Sequence, residues 1–124
     1  SGHSEGHSVA HAMVDSLLAA ANLGDIGSNF GVDRPEYSGA SGRLFLEESI
    51  RLLAASGFEP VNVSVQIVAD SPKVGPRRQE LENQLSGIIG APVSVLATTT
   101  DGLGFLADAK GIAAVATSLV RMRG

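Results

Sequence analysis

The strongest constraint on the fold is a short segment, residues 61–69, in which apolar and polar side chains alternate along V-N-V-S-V-Q-I-V-A. A period of two is typical of a β-strand, because successive side chains of a strand point to opposite faces of the sheet. Residues 92–100 favour a second strand. The sequence therefore predicts a sheet that contains at least these two strands.

Three amphipathic helices are predicted around these strands. In residues 9–21, apolar side chains recur at spacings of three and four, which places them on one face of a helix. Ser41 is a favourable N-cap for a second helix that ends near Gly57. Residues 77–90 form a third amphipathic helix. The alternation of helices and strands predicts an α/β (α+β) fold.

The segments between these elements carry turn-forming residues. Residues 25–35 are predicted to be a long loop, and loops of that length in compact domains are usually functional or mobile. Gly24, just before that loop, is a candidate left-handed cap of the first helix. Residues 70–76 are predicted to be a loop and residues 101–104 a turn. Residues 112–122 stay ambiguous, because their alanine content favours a helix while the preceding rhythm favours a closing strand.

Composition argues against several classes of function. The chain has 124 residues, enough for one domain with its own core, and it contains no cysteine, so a disulfide framework and any cysteine-based metal or redox site are ruled out. A net charge of -4 argues against a general nucleic-acid binder. No apolar run is long enough to span a membrane and no signal peptide is visible, so we expect a cytoplasmic protein without a membrane or nucleic-acid partner.

All three histidines of the chain lie near its start, at intervals of four residues. If the first helix includes them, His7, His11 and Asp15 lie along one face, because side chains four residues apart are neighbours. One interpretation is a metal site in which imidazoles are ligands and the carboxylate fixes the imidazole tautomer. The other is a polar, solvated helix start or the remnant of a histidine-rich expression tag. The spacing lacks the glutamate of the usual zinc motif, so both interpretations remain open.

Hydroxyl and charged residues form three further candidate sites. Residues 98–101 (T-T-T-D) lie at a predicted strand end, where ligands of α/β sheets commonly bind, although threonine is also frequent in strands for packing reasons. Pro72 and Lys73 offer a fixed bend and a cation for a phosphate, or simply a solvated lysine. Asp25, which lies between two glycines, is either a hydroxyl-binding residue or part of a turn.

Five separated motifs lie along the chain: G-H-S-E-G at 2–6, H-A at 11–12, L-G-D-I-G at 23–27, P-K at 72–73 and A-T-T-T-D-G-L-G-F at 97–105. Together they resemble the motifs of the 2-C-methyl-D-erythritol 2,4-cyclodiphosphate synthase family of the non-mevalonate isoprenoid pathway. They occur in the family's order and approximate spacing over nearly the whole chain. The sequence at residues 31–33 and 77–78 looks most like that of actinobacterial members.

The resemblance implies a fold and a reaction. A sheet packed on one side by three helices assembles into a homotrimeric prism, with the sheets facing inward and the active sites between neighbouring subunits. The enzyme is a phosphorus–oxygen lyase that cyclises 4-diphosphocytidyl-2-C-methyl-D-erythritol 2-phosphate to the 2,4-cyclodiphosphate and releases CMP. The 2-phosphate of the substrate attacks the inner phosphorus, and divalent metals, Zn²⁺ together with Mg²⁺ or Mn²⁺, offset the repulsion between the phosphates.

The resemblance also implies roles for individual residues, carried over by position. His3 and Thr99 are the catalytic candidates beside the reacting phosphates, and His11 and Asp101 are the candidate metal ligands. The candidate substrate-binding residues are Ser4, Asp25, Ile26, Gly27, Ala69, Pro72, Lys73, Val74, Gly75, Thr98, Asp101 and Phe105.

The chain departs from the family pattern at several positions. It is expected to form a single cyclodiphosphate-synthase-like domain over residues 1–124, lacking the family's N-terminal Asp-x-His strand that supplies two zinc ligands. Asp101 stands where the family usually has Glu, and Asp108 and Lys110 replace its Arg and Glu. An anion in place of a phosphate-facing cation weakens phosphate binding. The alternative interpretation is therefore a catalytically impaired relative that acts as a nucleotide- or metal-binding trimer.

Overall fold

The computed structural model describes residues 2–31, 41–69, 75–99 and 112–124. Among these residues, no helix is both long and apolar enough to cross a membrane. In chain order the elements are α1 (Gly2–Ala20), α2 (Ile26–Phe30), α3 (Gly42–Ala55), β1 (Phe58–Ala69), a 3-10 turn (Gly75–Arg77), α4 (Arg78–Ile89), β2 (Val93–Thr98) and β3 (Ile112–Met122).

The three strands form one mixed sheet in the order β2-β1-β3. β1 pairs in parallel with β2, where Val65 lies opposite Val95, and antiparallel with β3, where Val65 lies opposite Ala116. The ambiguous segment 112–122 is therefore a strand, because pairing along β1 outweighs the local helix propensity of its alanines. The α/β (α+β) fold class is confirmed.

Helices cover one face of this sheet. The alternating pattern of β1 turns Val63, Val65 and Ile67 to that face, where each is at most 2% exposed. Met13 and Leu17 of α1 are fully buried in the same core, and α3 and α4 also pack on the sheet. The prediction of a sheet packed on one side by three helices is confirmed, and the short α2 is an additional element.

The opposite face of the sheet carries exposed apolar side chains. Gln66 pairs with both Leu96 and Val115, so these three residues lie side by side on the face away from the core. Leu96 is 46% exposed, Val115 is 62% exposed and Leu119, further along the same face of β3, is 55% exposed. Apolar side chains grouped on one face are typical of a surface that contacts another protein.

The N-terminal half of α1 lies toward the end of the sheet where β1 finishes. Ser16, further along α1, contacts β3 at Ser118, where the two hydroxyl oxygens are 2.6 Å apart. Ala10 packs against Gly42, the first residue of α3, so closely that a Cβ on Gly42 would lie 2.6 Å from the Ala10 Cβ. α3 leads almost directly into β1, so its first residue lies away from the point where β1 begins.

Helix α4 satisfies the outer edge of β2. The Val95 N–H donates to Glu82 Oε2 at 2.8 Å, and the Val93 N–H donates to the Ser86 hydroxyl at 3.0 Å. Open N–H groups on an edge strand would invite pairing with another chain. These two side chains therefore protect this edge and hold β2 in register with α4.

The prediction of a loop over residues 25–35 is wrong for residues 26–30, which form helix α2, and its residues 32–35 lie outside the described ranges. The Ser28 N–H donates to Asp25 Oδ1, and the Asp25 N–H donates to the Ser28 hydroxyl, which closes a capping box. At the other end of α2, Phe30 is buried, and its ring centroid lies 5.3 Å from that of Phe45 in α3. A local cap and a distant ring contact together hold this single helical turn.

Helix α1 begins at Gly2, earlier than the predicted start at residue 9. The left-handed residue after it is Asn22, with φ of 58°, and Asn is an accepted residue in that position. Gly24, the predicted left-handed cap, also has a positive φ, of 94°, and a side chain there would collide with the Ser28 hydroxyl. Gly24 is therefore needed for the connection to α2, while Asn22 closes α1.

The other predicted elements are confirmed with small shifts of their bounds, and Ser41 is the N-cap of α3, where its hydroxyl accepts from the Leu44 N–H. Of the predicted loop 70–76, Gly75 begins the 3-10 turn. The rest of that loop up to residue 74 and the predicted turn 101–104 lie outside the described residues.

Replacing Leu53 by Ala should lower the free energy of unfolding by about 2–5 kcal/mol, because this fully buried side chain of α3 would leave a cavity. Urea unfolding at one fixed protein concentration measures the change. Leu44→Ala on the same helix is the matched control, since Leu44 is 36% exposed. Equal losses in the two variants would contradict the placement of α3.

Candidate functional site

One carboxylate links the histidine of α1 to the start of α2. His11 Nε2 lies 3.1 Å from Asp15 Oδ2, and both side chains are partly exposed on the same face of α1. The other oxygen, Asp15 Oδ1, accepts from the Ile26 N–H at 2.8 Å. Of the row predicted from the spacing of four, the pair of His11 and Asp15 is confirmed, and the side chain of His7 lies outside the described part of the chain. The contact of Asp15 with Ile26 has no signal in the sequence.

Asp25 is exposed at the start of α2, beside the residues joined by Asp15. The Ser28 backbone N–H and then the Ser28 hydroxyl stabilise the charged form of Asp25, which lowers its pKa from the ordinary value of 3.8. Asp25 is therefore an anion at neutral pH with one oxygen held by Ser28 N–H. Asp25 is the N-cap of α2 and not part of a simple turn, and its exposed, oriented carboxylate is suited to accept hydrogen bonds from hydroxyl groups.

A second group of candidate residues lies at one end of the sheet. Val68 pairs with Thr98, and Ala69 pairs with Ile112, so β1 and β2 finish where β3 begins. Thr98 and Thr99 are exposed there. The N-terminal half of α1 lies toward the same end of the sheet, and over the described residues no hydrogen bond or ion pair joins Thr98 to His11, Asp15 or Asp25 of the same chain.

The structure describes only part of the predicted site. His3 and Ser4 belong to α1, and their side chains are outside the described part of the chain. Gly75 is exposed in the 3-10 turn before α4. The predicted site residues that lie wholly outside the described ranges are Pro72, Lys73, Val74, Asp101 and Phe105.

The described residues do not by themselves fit a catalytic zinc ion. Such an ion takes about three protein ligands. Over the described ranges, no group of three or more His, Asp or Glu side chains is placed to hold a metal, and His11 has only Asp15 beside it. His11 can supply one imidazole ligand, so any complete site would need donors from elsewhere.

Comparison with known proteins identifies relatives over nearly the whole chain. The model of the YgbB family matches residues 1–121. The bifunctional enzyme IspD/IspF of Clavibacter michiganensis is 56% identical over 119 residues. The 2-C-methyl-D-erythritol 2,4-cyclodiphosphate synthase of Bifidobacterium longum is 50% identical over 120 residues. The corresponding protein of Acidothermus cellulolyticus is 46% identical over 119 residues.

These alignments cover different shares of the relatives. Each covers 96% of this chain, but the chain spans 29% of the bifunctional Clavibacter enzyme, 69% of the Bifidobacterium protein and 74% of the Acidothermus protein. The family match and the names of these relatives agree with the family resemblance of the motifs.

Solved structures show the same fold. A 2C-methyl-D-erythritol-2,4-cyclodiphosphate synthase in a CDP-bound form has a TM-score of 0.80 and 34% identity, covering 90% of this chain and 74% of that one. The bifunctional IspDF from Campylobacter jejuni has a TM-score of 0.86 and 27% identity, covering 93% of this chain and 32% of that one.

The Asp25 carboxyl group should titrate below 3.8, because the Ser28 N–H and hydroxyl favour its charged form. A lowered folded-state pKa means that the stabilisation is present above the ordinary pKa and is lost as the pH falls through the lowered value. Carboxyl ¹³C NMR measures the midpoint directly. Ser28→Ala keeps the backbone donor and should raise the midpoint only part of the way, and a wild-type midpoint at or above 3.8 would contradict the capping geometry.

Proposed function

This chain belongs to the YgbB family, and we propose that it catalyses the reaction of the 2-C-methyl-D-erythritol 2,4-cyclodiphosphate synthases, as a lyase of the non-mevalonate isoprenoid pathway. The observation that carries the proposal is the family match over residues 1–121, since it includes every motif of the candidate site described above. Relatives that bear the enzyme's name are 46–50% identical to this chain over most of its length. These names favour the enzymatic interpretation over a catalytically impaired relative.

The proposed reaction transfers no group to the protein. An oxygen of the substrate 2-phosphate forms a bond to the inner phosphorus of the diphosphate, the bond from that phosphorus to the CMP oxygen breaks, and CMP leaves with the bond's electron pair. The attacking phosphate is already an anion and needs no general base. The protein therefore has to hold two mutually repelling phosphates in line and stabilise their charge.

Each described group has a proposed part in holding the substrate. Asp25, with Ile26 and Gly27, would bind the hydroxyl groups of the methylerythritol unit, because its carboxylate is charged and exposed. Thr98 and Thr99 would contact the diphosphate at the end of β2. Ala69 and Gly75 flank the segment of residues 70–74, which would form the wall around the cytosine.

The proposed function includes the binding of divalent cations. We propose Zn²⁺ near His11 and Mg²⁺ or Mn²⁺ near Asp101, and when bound such cations would offset phosphate charge. Near His11 the described residues supply one imidazole and one neighbouring carboxylate. These are fewer than the roughly three protein ligands that a catalytic zinc ion takes. Asp108 and Lys110, which replace the family's cation and anion, lie outside the described residues.

We propose a homotrimer because apolar side chains are exposed on the face of the sheet opposite the core. Leu96, Val115 and Leu119 present their side chains together on the face opposite the core. Three sheets that face one another as a prism would bury this face, which agrees with the assembly implied by the family resemblance. The site would then combine α1 and α2 of one subunit with the strand ends of its neighbour.

CMP release tests the enzymatic proposal. The full-length protein, supplied with Zn²⁺, Mg²⁺ and the diphosphocytidyl substrate, should form CMP and the cyclodiphosphate in equal amounts. Asp25→Asn keeps a good N-cap residue but removes the charge, so kcat/KM should fall by roughly 10- to 100-fold. Glu47→Gln, an exposed change on α3, is the control and should leave the rate unchanged.

Absence of CMP from a correctly folded wild-type protein would remove the enzymatic proposal. Binding of CDP by that inactive protein would then favour the nucleotide-binding trimer. Unchanged kinetics in Asp25→Asn would instead restrict Asp25 to its role in capping α2.

The double change Val115→Glu and Leu119→Glu should convert the trimer to monomers, because six carboxylates would face one another in the closed prism. Sedimentation velocity measures the mass in solution. Leu44→Glu introduces the same side chain on an exposed part of α3 and should leave the trimer intact. A monomeric wild-type protein, or a double variant that stays trimeric, would contradict the proposed assembly.

A further inference from the structure

The two carboxylate oxygens of Asp15 have separate partners on different elements. Asp15 Oδ2 lies 3.1 Å from His11 Nε2, one turn earlier on α1. Asp15 Oδ1 accepts from the Ile26 N–H at 2.8 Å, and this N–H is the first of α2. N–H groups in the first turn of a helix have no partner within the helix, so this bond satisfies a group that would otherwise need water.

The contact with Asp15 determines which nitrogen of His11 is available. A carboxylate can only accept hydrogen bonds, so Nε2 must carry the hydrogen in this pair. In the neutral imidazole the other nitrogen, Nδ1, then keeps its lone pair and is the atom free to act as acceptor or ligand. An exposed side-chain pair of this kind contributes little to folding stability, so its main effect is on the orientation and tautomer of the imidazole.

We propose that Asp15 is a positioning residue that holds His11 as the Nε2–H tautomer and ties it to the start of α2. Its effect reaches Asp25 and Gly27, because they flank Ile26 in the capped turn. The proposal rests on the proposed function only where that function places His11 beside a metal ion and Asp25 beside the substrate. In that case the Asp15 carboxylate fixes the separation between the His11 imidazole and the Asp25 carboxylate proposed to bind the polyol.

The substitution Asp15→Asn separates the two bonds. Its amide oxygen can still accept from the Ile26 N–H, but the amide nitrogen then faces His11 Nε2 and can only donate. The imidazole must therefore offer its Nε2 lone pair and carry its hydrogen on Nδ1. Asp15→Ala removes both bonds, and Glu47→Gln, which removes one carboxylate from an exposed pair on α3, is the matched control.

Two NMR measurements on the full-length protein without substrate or metal test the proposal. Long-range ¹H–¹⁵N spectra, recorded at about pH 8.5 where an ordinary imidazole is neutral, report the His11 tautomer, with the signals assigned from His11→Gln. Amide hydrogen exchange reports the Ile26 bond. We expect Nε2–H in the wild type and in Glu47→Gln, and Nδ1–H as the major form in Asp15→Asn, with Ile26 still protected. In Asp15→Ala, the amide hydrogen of Ile26 should exchange with solvent about tenfold faster than in the wild type.

An unchanged His11 tautomer in Asp15→Asn, or an unchanged Ile26 exchange rate in Asp15→Ala, would overturn the proposal. Protection of the Val65 amide in the central strand shows whether each variant has kept its fold. If Asp15→Ala fails to fold, the tautomer of Asp15→Asn alone decides the outcome. Because neither measurement uses substrate, a protein that passes both but releases no CMP would refute the proposed function and leave the positioning role standing.

Discussion

The packing of α1 across the sheet is the constraint on which the rest of the site depends. Its inner side buries Val9, Met13 and Leu17 completely, and each buried side chain of this size contributes about 1.5–3 kcal/mol. The exposed pair on its outer side, His11 with Asp15, contributes at most about 1 kcal/mol. The buried core therefore fixes the position of the pair, and the pair itself contributes little to the free energy of unfolding.

Contacts with α1 and α3, together with a local cap, hold helix α2 in place. Asp15 accepts a hydrogen bond from the first N–H of α2, and Asp25 and Ser28 form a capping box at its start. At the other end of α2, the Phe30 ring packs against Phe45 of α3. This turn has too few residues to be stable alone, because a single helical turn gains too little hydrogen bonding for its loss of entropy. Its geometry is consequently a property of the folded domain.

The regular elements could be predicted from the sequence because their signals are local. Apolar spacing and the Ser41 cap identify α3, the period of two identifies β1, and both appear in the structure with small shifts. Residues 112–122 could not be decided locally, since their strand character comes from pairing with β1, distant in sequence. Helix α2 was missed for a similar reason, because the ring contact that holds Phe30 involves a residue of another helix.

For the candidate site, the sequence could predict only the features that are carried by side-chain motifs. The motifs identified the family, which the comparison with known proteins confirms, and the spacing of four placed His11 beside Asp15. The hydrogen bond from the Ile26 N–H to Asp15 could not be predicted, because every residue except proline carries the same backbone N–H group. The roles of Thr98, Thr99 and the remaining site residues stay predictions.

The central claim is that α1 and α2 of one subunit and the strand ends of its neighbour enclose one diphosphate. A crystal structure of the full-length protein with CDP tests it most directly. The account predicts a trimer that buries Leu96 and Val115, with the diphosphate between Thr98 and Thr99 of one copy and the His11 region of the next. A nucleotide bound far from both groups, or a single copy with the outer sheet face bare, would contradict it.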